Sequence, residues 1–245
     1  EGRITSHLLD PGLVSGPVFQ RCSGSVLMSG TLYPPRMYAD LLGIGGGNTT
    51  SRQYDSPFAN QRRPVVVAKD VTTRYQERTH DNTQRIRSHL QALCDGSPGH
   101  VAVFTPSYTM LNDYIGEGHF NGVVVRMEDR TWSKHDVDQI LDVLDRERKL
   151  GRRVLLAGVF GGRLSEGIDY HNGLLDAVAC IGIPNPPPSI HQKALRTYIE
   201  ERFGRANAWR YASTQPAINS ILQAMGRPIR SIDDRALILL LDKRN

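Results

Sequence analysis

Three polar residues near the end of the chain, Gln223, Arg227 and Arg230, lie in the run Gln223-Ala-Met-Gly-Arg-Pro-Ile-Arg230. Their i, i+4, i+7 spacing is that of one helical face. Two arginines three residues apart can both point at one anion. A guanidinium supplied to a γ-phosphate stabilises the charge that spreads over it during transfer, an effect worth roughly 10³–10⁵ in rate. Gly226 removes a side chain beside them and permits close backbone approach. Pro228 disfavours helix at Arg227 and lacks an N–H, so the helix is expected to stop there, with the arginines at its C-terminal edge. The same pair could equally be a surface pair bound to Asp233 and Asp234.

A second segment, Gly161-Gly-Arg-Leu-Ser-Glu-Gly-Ile-Asp169, directly follows the apolar run RVLLAGV. Glycine-rich turns at the carboxyl ends of parallel strands are where such sheets bind ligands. Arg163 and Ser165 can meet a phosphate, while Glu166 and Asp169 can hold a ribose hydroxyl or orient an arginine, with Gly162 and Gly167 keeping the turn open. The competing reading is a turn that needs glycine for positive φ, with Asp169 as a helix cap. A third segment, Met28-Ser-Gly-Thr-Leu32, taken by itself reads as a plain Ser/Gly/Thr turn. A fourth, Val103-Phe-Thr-Pro-Ser-Tyr108, carries Thr105, Ser107 and Tyr108 at a strand-to-helix junction. Its hydroxyls and the amides of a helix start could hold a DNA phosphate, and Tyr108 could stack on a base, although a partly buried aromatic is the commoner fate of such a tyrosine.

Several chemistries lack their signatures. There is no GxxxxGK[ST] loop; Gly43–Thr50 shares only its glycine content and has no lysine to reach a phosphate. No acidic pair follows an apolar strand to hold magnesium, and no GxSxG supplies a hydrolase nucleophile. Cys22, Cys94 and Cys180 are far apart with no CxxC, so no metal or iron–sulfur site is expected from this chain alone. A complete NTPase is therefore not encoded in these residues.

The elements that must position these segments follow from apolar patterning. Near-continuous runs at 25–29, 64–68, 100–105, 122–126, 153–159, 177–183 and 236–241 suit strands buried on both faces of a parallel sheet. Between them, 83–94 and 134–150 carry apolar residues at helical spacing, with Ser133 as an N-cap for the latter; 189–203 and 217–226 read as helices too. Such alternation predicts an α/β doubly wound, mostly parallel sheet with helices on both faces. Residues 43–60 and the PNPPP run at 184–188 are expected to be irregular. With 245 residues, 27.3 kDa, and no evident linker or repeat, one domain over 1–245 is expected. The net charge of +5 and pI of about 9.2 suit a polyanionic partner without demanding one. Arg62, Arg63, Lys69, Arg74, Arg78, Arg85 and Arg87 form a basic stretch interspersed with acids, which reads equally as a phosphate track or as a solvated mixed-charge face. No run approaches the ~20 apolar residues of a bilayer span, and no secretion signal is present.

Taken in chain order, these segments resemble the second motor domain of the XPD family of superfamily 2 helicases. MSGTLYPPRMYADLLG (28–43) is similar to the family's motif III region, VFTPSY to motif IV, GGRLSEGIDY to motif V and QAMGRPIR to motif VI. SPF (56–58), DVTTRYQER (70–78) and the closing LLLDKR (239–244) resemble further family blocks. The resemblance implies a RecA-like fold and a part in an ATP-dependent, 5′-to-3′ DNA helicase with roles in repair. By that resemblance Arg227 and Arg230 contact the γ-phosphate, Arg230 as the better finger, and Gln223 positions them. Gly162, Glu166, Gly167, Asp169 and Gly226 belong to the nucleotide side and its coupling. Thr105, Ser107, Tyr108, Arg163 and Ser165 face single-stranded DNA, and Ser29 and Thr31 sit at a domain junction. ATP and Mg²⁺ would be shared with a first motor domain of the same protein. A 4Fe–4S cluster would belong to that other part and not to this chain.

The segment 44–54 does not align with the family pattern, and Pro228 stands where a small residue such as alanine is also usual. The start at Glu1 suggests a fragment, and the end at Asn245 suggests a cytoplasmic, archaeal source without the extension that binds a regulatory subunit of transcription factor IIH. The alternatives are a non-catalytic module that binds nucleic acid or protein, and a helicase of the DinG type.

Overall fold

The runs of Val, Leu, Ile and Ala make one parallel sheet because apolar strands of this kind can be buried on both faces, as the central ones are. A computed structural model of the protein describes residues 4–44, 49–171 and 173–245. Its strands are β1 (Val65–Val67), β2 (His100–Thr105), β3 (Val124–Met127), β4 (Val154–Val159), β5 (Leu175–Ile181) and β6 (Leu237–Leu241), in the order β1-β6-β5-β2-β4-β3. Every pairing is parallel. β2 and β4 are buried along their whole lengths. The expectation of a doubly wound, parallel sheet is met.

The helices are α1 (Gly12–Arg21), α2 (Pro35–Leu42), α3 (His80–Gly96), α4 (Tyr108–Leu111), α5 (Lys134–Lys149), α6 (Ile190–Phe203), α7 (Arg205–Trp209) and α8 (Gln215–Met225). Their starts are chemically marked. Ser133 and Asp136 form a reciprocal capping box at α5, Thr79 caps α3 and Ser189 caps α6. Pro35 at the first position of α2 and Gly43 at φ +67 just past its end delimit a helix that apolar spacing alone does not announce.

The chain divides into two compact units where the sequence suggests one domain. The first comprises 1–55 with 185–219, the second 56–184 with 220–245. A search for linkers along the chain misses such a division, because each unit is assembled from two separated segments. The first unit is helical. Met37, Ile199, Tyr211 and Ala212 form its core, the Tyr211 hydroxyl donates to Asp40 Oδ2 (2.8 Å), and Asn219 donates to the Tyr38 hydroxyl (2.6 Å). The run at 25–29 lies here and forms no strand. Val26 and Met28 are 84% and 85% exposed, so the three consecutive apolar residues 26–28 join no sheet. Residues 45–48 of the glycine-rich segment lie outside the described residues; 49–59 on its far side are irregular, as expected.

The second unit holds the sheet and two cores, one on each face. Ile86, Leu90 and Leu93 of α3 pack with Val101 and Val103; Val137, Ile140 and Leu144 of α5 pack with Ala102 and Phe104. Alternate residues of β2 thus serve opposite faces, as the two-residue strand period requires. Among the described residues no helix is long and apolar enough to cross a membrane.

Candidate functional site

Parallel register brings distant segments to one edge of the sheet. Thr105 pairs with Val159, and Met127 with Ala157, so the residues that follow β2, β3 and β4 emerge together at the carboxyl ends of the strands. The residue that follows β3 is Glu128, which the sequence does not single out. It is 4% exposed. Its carboxylate accepts from the backbone N–H of Arg163 (2.7 Å) and of Val159 (3.1 Å), and from the Tyr108 hydroxyl (3.3 Å). A Cβ on Gly162 would lie 2.6 Å from one carboxylate oxygen, and one on Gly158 2.6 Å from the other. These two glycines make room for Glu128. Gly162 thereby acquires a different reason from the nucleotide contact expected of it.

The turn after β4 is folded on itself. The Gly162 N–H donates to Val159 O, the Glu166 N–H to Gly162 O, and the Phe160 N–H reaches across to Thr105 O. Leu164, Ile168 and Tyr170 enter the core with Phe104, and Ile221 and Ala224 of α8 pack in the same cluster. Gly161 and Gly167 adopt φ +70 and +81, the left-handed conformation expected of turn glycines.

α8 ends at Met225, as Pro228 predicts, and the arginines follow on the turn beyond it. Arg227 and Arg230 donate to one acceptor, the Ile168 carbonyl oxygen, at 3.0 and 3.3 Å. Arg230 also pairs with Asp169 at 3.0 Å. Neither side chain uses Asp233 or Asp234. Asp233 pairs with Arg62, and Asp234 accepts the backbone N–H groups of Arg230 and Ser231, so the surface-pair alternative to those acids is not what forms. Burial and the neighbouring Arg230 cation hold Arg227 below its ordinary basicity. Its Nε is buried without a partner. The two guanidiniums share one neutral oxygen and one direct carboxylate partner, and the Arg227 Nε–H has no acceptor.

The other expected residues are distributed unevenly. Glu166 is exposed, and its negative charge bears on Arg227. Gln223 is half-buried one helical turn before Arg227. A Cβ on Gly226 would meet only ordinary contacts, so the fold itself does not demand glycine there. Arg163 is exposed, with only its backbone N–H engaged by Glu128.

The expectations for the three hydroxyl side chains Thr105, Ser165 and Ser107 on the strand side are corrected. Thr105 is fully buried and its hydroxyl donates to Ser107 O, so it shapes the turn instead of meeting a phosphate. Ser165 is 2% exposed and donates to Gly162 O. The Ser107 hydroxyl caps the Met110 N–H of α4, a single turn whose start is therefore already occupied. Tyr108 donates to Glu128 while Arg130 covers its ring at 4.7 Å, so one face is already stacked, by a cation. Burial and the Glu128 carboxylate raise the Tyr108 hydroxyl above the usual phenol range, which keeps it a donor.

Ser29 and Thr31 bond to each other in an exposed turn of the first unit. The LLLDKR and DVTTRYQER blocks meet at Asp242, fully buried, which accepts from the Thr73 N–H and hydroxyl and from Arg244. Among the described residues no three His, Cys, Asp or Glu side chains are grouped to hold a metal. Burial pushes the Cys94 and Cys180 thiols up to about 11 and about 12, the opposite of what thiolate ligands require.

Residues 90–245 match the helicase C-terminal domain family. The chain belongs to that family. It is 27% identical over its whole length to the ATP-dependent DNA helicase chl-1 of Caenorhabditis elegans, covering 31% of that protein. It is 30% identical over 89% of its length to the ATP-dependent DNA helicase XPD of Sulfolobus acidocaldarius, covering 39% of it. A solved XPD helicase structure superposes with a TM-score of 0.70 at 27% identity, over 89% of this chain and 38% of that one. The likeness to XPD-type helicases read in the motifs is thus a likeness of sequence and fold. The chain spans about a third of the length of the curated relatives it matches. Those relatives come from an archaeon, yeast and an animal, so an archaeal source is not singled out.

Proposed function

We propose that this chain is the second, C-terminal motor domain of an ATP-dependent, 5′-to-3′ DNA helicase of the XPD type that acts in repair. Arg227 and Arg230 reach the γ-phosphate of ATP held, with Mg²⁺, by a first motor domain of the same protein; Gln223 orients them. The observation that carries this reading is their convergence on Ile168 O with Arg227 Nε unpaired. A γ-phosphate supplies the acceptors this pair lacks, and bidentate guanidinium contacts suit its oxygens. Glu166 and Asp169, on the turn that also presents Arg163, relate the state of the nucleotide to the grip on the strand. Closure on ATP and release after hydrolysis would advance single-stranded DNA. A 4Fe–4S cluster belongs, in this reading, to the remainder of the protein.

Full-length protein is the material for the test. Hydrolysis of ATP stimulated by single-stranded DNA, and separation of a duplex bearing a 5′ overhang but not a 3′ overhang, are expected. The isolated 245-residue chain is expected to hydrolyse no ATP, since it has no GK[ST] phosphate cradle. Robust DNA-dependent hydrolysis by the chain alone overturns the reading.

A further inference from the structure

Glu128 stands outside every motif, yet it joins two of the segments that carry them, 103–108 and 161–169. It is buried, follows the last residue of β3, and has an acceptor-only carboxylate that meets two backbone N–H groups of the 158–163 turn and one phenolic hydroxyl. Gly158 and Gly162 lack the Cβ atoms that would collide with it. Around it, three side chains reach the surface from three strand ends: the Tyr108 ring after β2, Arg130 after β3, stacked on that ring, and Arg163 after β4. Arg130 and Arg163 are exposed, Arg130 against the Tyr108 ring and Arg163 on the turn whose backbone Glu128 holds.

We propose that Glu128 is a positioning residue for strand binding, and that the Tyr108 ring, Arg130 and Arg163 which it aligns form one contact surface for the sugar-phosphate backbone of single-stranded DNA. Arg130 is a contact that no motif names. The inference rests on the reading of this chain as a helicase motor domain. The physical case is one of order. An exposed arginine on a free loop loses side-chain and loop freedom on meeting a phosphate. Here the loop under Arg163 is fixed by Glu128 at 2.7 Å, and Arg130 lies against a ring whose hydroxyl the same carboxylate holds. The ring, the Arg130 guanidinium on it and the backbone that carries Arg163 are therefore in place before the strand arrives. A glutamine at 128 retains one acceptor oxygen and turns an amide donor toward an N–H or hydroxyl that needs an acceptor.

The test uses full-length protein and a fluorescent oligo-dT strand. Glu128→Gln is expected to raise the strand concentration that half-stimulates ATP hydrolysis about tenfold, the size of losing one charge-assisted bond, with a smaller change in turnover at saturating strand. Tyr108→Phe, which removes only the hydroxyl, is expected to raise it several-fold, and combined with Glu128→Gln to add little further. Arg130→Ala, at an exposed position that does not threaten folding, is expected to weaken oligo-dT binding by anisotropy. Unchanged strand affinity in Arg130→Ala or in Tyr108→Phe overturns the proposal, as does a loss confined to turnover in Glu128→Gln. Should the parent protein show no strand-stimulated hydrolysis, the helicase reading falls and this inference with it. Stimulated parent with unaffected variants removes the inference alone.

Discussion

Arg230 lies against Asp169, Nε to Oδ1 at 3.0 Å, and so ties the turn after α8 to the turn after β4. The pair is solvent-exposed on both sides, the carboxylate at 72%. An exposed ion pair contributes about 0–1 kcal/mol, so its use is orientation of the guanidinium and not stability.

Arg230→Ala in the full-length protein is therefore expected to leave the fold intact and single-strand binding nearly unchanged. ATP hydrolysis falls by roughly 10³ or more and unwinding is lost. Parallel measurement of hydrolysis, strand separation and fluorescence anisotropy checks this. Collapsed DNA binding with persistent hydrolysis would assign Arg230 to the strand side instead. Asp169→Asn is expected to shift the denaturation midpoint very little.

Gly161 and Gly162 are neighbours with different requirements. Gly161 has φ +70 and nothing within 4 Å of where a Cβ would stand, so alanine there costs about 1 kcal/mol of backbone strain. Gly162→Ala places a methyl 2.6 Å from the Glu128 carboxylate and displaces it. Gly162→Ala is expected to weaken oligo-dT binding beyond what Gly161→Ala does, at a comparable or larger stability loss. Equal binding by the two variants would contradict the arrangement around Glu128.

Asp242 sets a pH dependence. Burial alone would raise its carboxyl, but the Arg244 side chain and the Thr73 backbone N–H prevail and lower it to about 2. An unfolded aspartate titrates near about 4. The folded form thus favours the carboxylate, so the stabilisation is complete above about pH 4 and is lost as pH falls toward about 2. Asp242→Asn is expected to cost about 2 kcal/mol at pH 7, with the gap to the parent closing in that acid window. Urea midpoints for both proteins, measured against pH, provide the check; a constant gap would refute the assignment.

Salt dependence separates phosphate contacts from base contacts. Arg163→Ala and Arg130→Ala are each expected to reduce the slope of log affinity against log salt by about 0.7, the value for one single-strand phosphate contact. Titrations of oligo-dT binding at several salt concentrations read this directly. A slope equal to the parent's would take the altered arginine out of contact with the strand.

Patterns confined to a few neighbouring residues are readable from residue order alone. The unbroken apolar run of β2, the spacing of Ile86, Leu90 and Leu93 in α3, the Ser133 cap and the helix stop before Pro228 depend on backbone sterics and local hydrogen bonds, and all appear. The SVLMS run shows where that logic ends: a strand needs a partner edge as well as β-prone residues, and 25–29 finds none. The helices α1 and α2 are not announced by apolar spacing, because α1 contains Pro17 and two glycines, and α2 is a short stretch opened by a proline.

The amino-acid sequence by itself determined the parallel α/β class, the motif order and the pair of arginines, because these follow from residue type and short-range spacing. Tertiary structure alone decided that the arginines share Ile168 O, that Thr105 and Ser165 turn inward, and that Glu128 is the carboxylate around which two glycines and a tyrosine are arranged. The partners of Glu128 and of the two arginines are 20 to 62 residues away in the chain, brought together in large part by the parallel pairing of β2, β3 and β4. A buried charge takes its meaning from the donors that surround it, and which donors those are is fixed by strand order, not by the residues beside it in sequence.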